Sequence, residues 1–313
     1  MKKPPLPPNE NIRIKSLQEL NILDTPAEER FDRITQAASK MFNMPIALVS
    51  LIDSKRQWFK SAIGTDVPET PRDISFCAHA ILDTTPLVVK NALNDKRFYN
   101  NPLVAGETNI RFYAGSQLKH PNGSVLGTLC LIDTKPRELT PDELECLQEL
   151  ATFVELELVS QQSVNLDPEC NISNKDGFHQ LADCCLHVCQ KKQLPVVLSY
   201  FFVKELAGLQ DEFDQKVYQQ ALNIIVNGFK AGFRSSDIIA RYEDTGFVAL
   251  MSNSNKNQAN ALLQATIKKI NLDLSYNIDC HDVKLISGVI EAVAKENLEE
   301  LIFNAFYNSY QKK

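Results

Sequence analysis

The sequence predicts an α+β protein of two domains, and three observations carry that reading. The chain has 313 residues, 44% of them hydrophobic, which suits two cores of ordinary size. A polar stretch, SQQSVNLDPEC from Ser160, separates two different hydrophobic patterns. The pattern after it runs helix, strand, helix, hairpin, helix, strand, helix, the order of an antiparallel sheet with helices packed on it. These marks divide the chain into an N-terminal arm and helix (1–22), a first domain (23–160), a linker (161–170) and a second domain (171–313).

The elements follow in order. MKKPPLPPNENIR is basic and proline-rich and lacks the apolar core of a signal peptide, so a flexible arm is expected. Thr25-Pro26-Ala27-Glu28 has the composition of a helix start: Thr25 caps, Pro26 sits first inside and Glu28 closes a capping box. Phe31, Ile34, Ala38 and Phe42 then share one helical face. Ile46 to Asp53 is a dense apolar run ending in a turn, expected as a core strand. Pro121-Asn122-Gly123 turns between two strand-like runs, Phe112 to Lys119 and Ser124 to Ile132. Thr140-Pro141-x-Glu143 starts a helix whose Leu144, Leu147, Leu150, Val154 and Leu158 trace an apolar stripe. Past the linker, Pro195 to Val203 and Phe247 to Met251 read as strands, and the pattern as a whole fits a ferredoxin-like sheet with a central hairpin.

Charge and composition exclude several classes. A formal net charge of −6 argues against a nucleic-acid or anionic-membrane surface as partner. No apolar run reaches the ~20 residues that span a bilayer, so the chain is expected in the cytoplasm. There is no Gly-x-Ser-x-Gly, Walker loop or His-Glu-x-x-His. Cys184, Cys185, His187 and Cys189, with Cys170 and His179 upstream, lack the paired Cys-x-x-Cys frame of structural zinc. They read as small apolar fillers of a helix, and no metal is expected there.

The first half resembles a GAF domain. LDTPAEERFDRI from Leu23, PIALVSLID from Pro45, RQWFKSAIG from Arg56, PRDISFCAHAIL from Pro71, RFYAGSQL from Arg111 and GTLCLID from Gly127 carry the likeness. It implies a PAS-like antiparallel sheet with helices, a small-molecule pocket, and exit helices that pair two protomers into a homodimer. An intramolecular face for that helix is the alternative. Trp58, Cys77, His79 and Arg111 are the pocket candidates, with Arg111 as an anchor for an anionic ligand. Trp58 and Arg111 read equally as a core aromatic and a surface charge. Phe76-Cys77-Ala78-His79 differs from a bilin-attaching Cys-His because Ala78 intervenes; a helix start with a packed thiol and a hydrogen-bonded imidazole is the plainer reading.

The second half resembles the GGDEF family, the diguanylate cyclases that join two GTP into cyclic di-GMP. RSSDIIARYEDTGFVALM from Arg234 has the family's Arg-x-x-Asp and its apolar strand. The five signature positions, Gly-Gly-(Asp/Glu)-Glu-Phe in the family, read Glu243, Asp244, Thr245, Gly246 and Phe247. The family's glycines admit a phosphate; Glu243 and Asp244 place side chains and charge there, and two such charges at about 4 Å repel by roughly 1 kcal/mol in water. Carboxylates that would hold Mg²⁺ are replaced by Thr245 and, on the preceding strand, by Phe202. Asn174, Lys175 and Phe178, then Asp211, and near the end Ala305, Tyr310 and Lys313 keep further family positions, while Phe306 replaces an Asp.

The resemblance therefore implies a domain that is no enzyme, its cyclase residues lost at Glu243, Asp244, Thr245, Gly246 and Phe202. A shifted frame in which Glu243 and Asp244 hold metal is the alternative. Arg234 and Asp237 match the family's product-inhibition site, where a guanidinium forks onto guanine or phosphate and a carboxylate accepts from guanine. Lys268 and Lys269 are candidate helpers by residue type. Cyclic di-GMP is then the implied regulatory ligand, relayed to a protein partner that the sequence does not name. The competing readings are a ligand-free dimerisation or interaction module and a residual diguanylate cyclase.

Overall fold

A computed structural model describes residues 1–160, 164–206, 215–234, 237–278, 283–292 and 296–311. It divides into two compact units, Met1–Val164 and Asn165–Lys313, each with its own sheet. Asp211 and Lys313, two of the family-matching positions, lie outside the described residues.

The first unit runs α1 (Glu10–Glu19), α2 (Glu29–Met41), β1 (Ile46–Ile52), β2 (Arg56–Ile63), β3 (Glu69–Pro71), α3 (Cys77–Ala80), β4 (Leu87–Val89), α4 (Pro102–Ala105), β5 (Phe112–Lys119), β6 (Val125–Asp133) and α5 (Pro141–Val159). Its sheet has the order β3-β2-β1-β6-β5-β4, antiparallel throughout. β1 is buried along nearly its whole length, as its apolar run requires of a central strand. The β5–β6 hairpin turns at Gly123, whose φ of 84° lies in the region that glycine enters without strain. α5 begins with the expected capping box: Thr140 accepts from the Glu143 N–H and Glu143 accepts from the Thr140 N–H.

Two expectations change here. The helix predicted from Thr25 starts at Glu29, and its N-cap, Glu28, makes no capping bond. The cause is Lys60, whose buried ammonium needs acceptors: it donates to Thr25 Oγ1 (2.7 Å) and the Pro26 carbonyl (2.7 Å) and pairs with Glu28. Those groups are spent on Lys60 and do not cap. The arm expected to be flexible lies against the unit, with Lys2 N donating to the Arg97 carbonyl (3.0 Å) and Lys3 paired with Asp73.

The second unit runs α6 (Lys175–Lys191), β7 (Val196–Lys204), α7 (Gln215–Gly232), β8 (Ile238–Glu243), β9 (Gly246–Ser252), α8 (Lys256–Asn277), β10 (Lys284–Glu291) and α9 (Leu298–Tyr310). Its sheet order, β10-β7-β9-β8, is antiparallel and ferredoxin-like, with β7 and β9 central. Phe229 anchors the core, its ring 4.8 Å from Phe201, 5.8 Å from Phe233 and 5.5 Å from Phe247. Such pairs add roughly 0.5–1.5 kcal/mol each beyond their buried area. On α6, Cys184, Cys185 and Cys189 are buried, His187 is exposed, and His179 bonds the Tyr242 hydroxyl at 2.9 Å. Residues 165–170, expected as linker, belong to this unit. Among the described residues no helix is long and apolar enough to cross a membrane, and no cluster of three or more His, Cys, Asp or Glu could hold a metal.

Candidate functional site

β8 and β9 meet in a two-residue turn, Asp244-Thr245, with Glu243 paired to Gly246. On the other side of β9, Phe202 of β7 stands opposite Gly246, and Val203 N donates to the Thr245 carbonyl at 2.9 Å. The positions assigned to metal carboxylates by resemblance thus come together at one end of the sheet. They present a phenyl ring and a hydroxyl, and Gly246 beside them carries no side chain. Glu243 and Asp244 are exposed.

Tyr200, two residues before Phe202 on the same face of β7, occupies the space beside this turn. It is 2% exposed, and its hydroxyl donates to Glu243 at 3.2 Å. Its ring meets Phe306 of α9 edge-on at 5.2 Å and Tyr242 at 6.1 Å. A Cβ on Gly246 would fall 2.2 Å from the Tyr200 hydroxyl, so glycine at this position makes room for tyrosine. Burial, reinforced by Glu243, pushes the Tyr200 phenol well above its ordinary pKa, and the group stays a neutral donor.

Arg241 holds the hairpin from behind. Its guanidinium is 7% exposed and donates to Asp167 (3.3 Å), Glu169, the Tyr218 hydroxyl (2.6 Å) and the Asp244 carbonyl (3.2 Å). Burial would lower its pKa, but Glu169 and Asp167 outweigh that and raise it. Sequence reading passed over this residue. The available signal was an arginine inside the apolar strand IIARYE, which must find carboxylates when buried, and Asp167-Pro168-Glu169 upstream supplies them.

In the first unit a cavity of about 100 Å³ opens between the sheet and α3–α4, walled by Leu48, Gln57, Phe59, Phe76, Cys77 and Tyr113 among others. Of the four pocket candidates, Cys77 lines it; Trp58, His79 and Arg111 do not. The correction for Trp58 follows from strand alternation: Gln57 and Phe59 face the cavity, so Trp58 between them faces the other way, towards Lys60. His79 turns to the Lys2 carbonyl (3.0 Å) and the Phe98 ring. Arg111 donates to the carbonyls of Val104 (2.9 Å) and Ile110 (3.0 Å), so it braces a loop.

Comparison with known families agrees with both halves. The GAF domain model matches residues 26–158, and the model described as diguanylate cyclase, GGDEF domain, matches residues 164–313. The chain belongs to the GAF–GGDEF proteins. It is 41% identical over 177 residues to the cyclic di-GMP phosphodiesterase PA2567 of Pseudomonas aeruginosa, an alignment covering 56% of this chain and 30% of that protein. Solved structures similar to it include the GGDEF domain of DgcB from Caulobacter crescentus in complex with c-di-GMP, at 15% identity and a TM-score of 0.44 over 49% of this chain and 90% of that one. The FimX GGDEF domain of Pseudomonas aeruginosa is another, at 21% identity and a TM-score of 0.42, covering 47% and 92%.

In the GGDEF domain, Arg234 and Asp237 sit at the turn between α7 and β8. Asp237 Oδ2 accepts from the backbone N–H of Arg234 (2.9 Å), and Asp237 N donates to the Arg234 carbonyl (3.0 Å). The carboxylate is therefore held by the Arg234 backbone, and the Arg234 side chain is exposed. Close contacts of Gly232 with Thr266 and Gly228 with Ile270 set α7 and α8 antiparallel. Lys268 and Lys269 lie on α8 between those two contacts and are exposed.

Proposed function

We propose that the GGDEF domain of this chain is a non-catalytic module of cyclic di-GMP signalling, that the GAF domain is its sensor, and that Arg234 and Asp237 receive the dinucleotide. The observation that carries the loss of catalysis is Tyr200. Its ring packs against Tyr242 and Phe306 and is tied to Glu243 beside the altered hairpin, which supports a packed hairpin rather than the open, carboxylate-lined space that a nucleotide phosphate and its metal need. Neither Phe202 nor Thr245 offers the hard anionic oxygen that Mg²⁺ requires.

The receptor reading draws on the exposed Arg234 side chain and on Asp237, whose carboxylate accepts from the Arg234 backbone N–H. An arginine fork suits guanine O6/N7 or a phosphate, and a carboxylate suits guanine N1 and N2. The name of PA2567 supports the same dinucleotide. It does not carry hydrolysis over, because this chain spans 30% of that protein's length. The test is calorimetric titration with cyclic di-GMP, beside Arg234→Ala. The expected outcome is a Kd of about 1 μM or tighter, some −8 kcal/mol, weakened at least about tenfold in the variant. Absence of binding by the unaltered chain overturns the receptor role.

A second reading, the interaction module, is favoured by α9. Phe303 (67% exposed), Phe306 (38%), Tyr307 (54%) and Tyr310 (58%) fall at helical i, i+3, i+4, i+7 spacing, an aromatic stripe open to solvent. On this reading the stripe meets a second copy of the chain. Light scattering should then report a dimer that Phe303→Ser with Tyr307→Ser converts to monomer.

A further inference from the structure

We infer that Cys77 and Cys130 of the GAF domain form a redox-responsive dithiol, oxidised by a small peroxide that enters the cavity beside Cys77. The two sulfurs lie 3.6 Å apart, from different elements: Cys77 opens α3, and Cys130 sits mid-β6 between Leu48 and Gly115. Both are free thiols and almost fully buried. A disulfide needs the sulfurs at about 2.05 Å, so closing the pair takes a movement of about 1.5 Å.

The surroundings divide the roles. Cys77 borders the cavity and Cys130 does not, so a small oxidant meets Cys77 first. Gln57 Nε2 donates to the Cys77 sulfur at 3.3 Å. The Tyr113 and Thr128 hydroxyls, 3.5 Å from each other, close around the pair. Gly115 allows this, since a Cβ there would fall 2.1 Å from the Tyr113 hydroxyl. Burial pushes thiols up, yet hydrogen bonds from the surrounding groups hold Cys77 lower, while burial and the neighbouring Cys77 push Cys130 up. Cys77 is the attacking thiolate and Cys130 the resolving thiol.

The chemistry balances with hydrogen peroxide as oxidant. The Cys77 thiolate attacks one peroxide oxygen; the O–O bond breaks, an S–O bond forms, and the departing hydroxide takes up the proton Cys77 had released. The Cys130 sulfur then attacks Cys77 and gives up its proton, the S–O bond breaks, and hydroxide with that proton leaves as water. Two thiols and one peroxide yield one disulfide and two waters. Closure removes the acceptor of Gln57 and draws α3 towards β6, which reshapes the cavity wall.

The test treats the full native chain with a few equivalents of hydrogen peroxide, alkylates it, and digests it without reductant for mass spectrometry. A linked Cys77–Cys130 peptide pair, lighter by two hydrogens than its parts and released by dithiothreitol, is expected. Cys185 and Cys189, a second buried pair on α6, are the internal control and should react at least about tenfold more slowly, because the cavity that admits the oxidant opens on Cys77 and not on them. In Cys130→Ser the link disappears and dimedone captures Cys77; in Cys77→Ser, Cys130 stays a thiol. Recovery of both sulfurs as unlinked thiols overturns the inference, as does oxidation no faster than that of Cys185 and Cys189, or linkage only after denaturation.

Discussion

The two domains treat the space beside their central strands in opposite ways. The GAF domain leaves a cavity of about 100 Å³ against β1, β2 and β5, and places an amide, a thiol and a phenol on its wall. The GGDEF domain fills the corresponding neighbourhood of its hairpin with the rings of Tyr200, Tyr242 and Phe306. An unfilled core cavity costs stability, on the order of 24 cal/mol per Å³, so a domain that keeps one forgoes packing. Rings packed beside the hairpin gain that packing. On the proposed function, a ligand is to be sought in the GAF cavity and at the exposed Arg234 rather than under the altered hairpin.

The sharpest way to break this comparison is Tyr200→Ala. If the ring is packing, its loss should destabilise the GGDEF domain by about 4 kcal/mol in urea unfolding. Trp58, the chain's single tryptophan, reports the GAF domain by fluorescence while far-UV circular dichroism reports both, which assigns the loss. Tyr200→Phe, which removes only the bond to Glu243, should cost about 1 kcal/mol. A near-zero effect of the alanine variant would mean that the space is open after all.

Arg241→Ala comes next, at about 3 kcal/mol, because Asp167 and Glu169 lose their cation and the hairpin loses its tie to residues 165–170. Thermal unfolding compared with Arg241→Lys checks it: lysine keeps the charge but loses the fork, and should recover only part of the loss. In the first unit the comparable charge cluster is Glu10 with Arg13 and Arg72. Burial would raise the Glu10 carboxyl, but bonds from Arg13 (2.9 and 2.8 Å) and Arg72 (2.5 Å) lower it to about 2. A depressed folded pKa gives stability that is present above the unfolded value, 4.5, and is lost as pH falls towards 2. Acid titrations of the native chain and Glu10→Gln should therefore converge over that window and differ above it. The smallest effect is expected at the α5 cap, where Thr140→Ala should cost about 1 kcal/mol in thermal unfolding.

Local chemistry was legible in the sequence and long-range demand was not. The Thr140 capping box, the Gly123 turn and the β1 run are each decided by residues within a few positions, and each forms as read. The helix start at Thr25 fails because Lys60, far along the chain, claims its caps. Trp58 fails as a pocket residue because alternation fixes only that Gln57 and Trp58 face opposite ways, and packing decides which way the cavity lies. The altered signature Glu243 to Gly246 was visible at once, but the packing beside it was not: Tyr200 reads as one more residue of an apolar strand until Gly246 is seen making room for its hydroxyl.

The central claim, that packing has replaced catalysis in the GGDEF domain, is tested most directly by turnover. The purified chain is incubated with GTP and Mg²⁺ or Mn²⁺, and cyclic di-GMP is quantified by mass spectrometry after nucleotide extraction. The account predicts no product above a protein-free control, and none when Phe202→Asp and Thr245→Asp restore carboxylates beneath the Tyr200 ring. Metal-dependent product from the unaltered chain, abolished by Glu243→Gln or Asp244→Asn, would contradict it and make those two carboxylates the ligands of a displaced active centre.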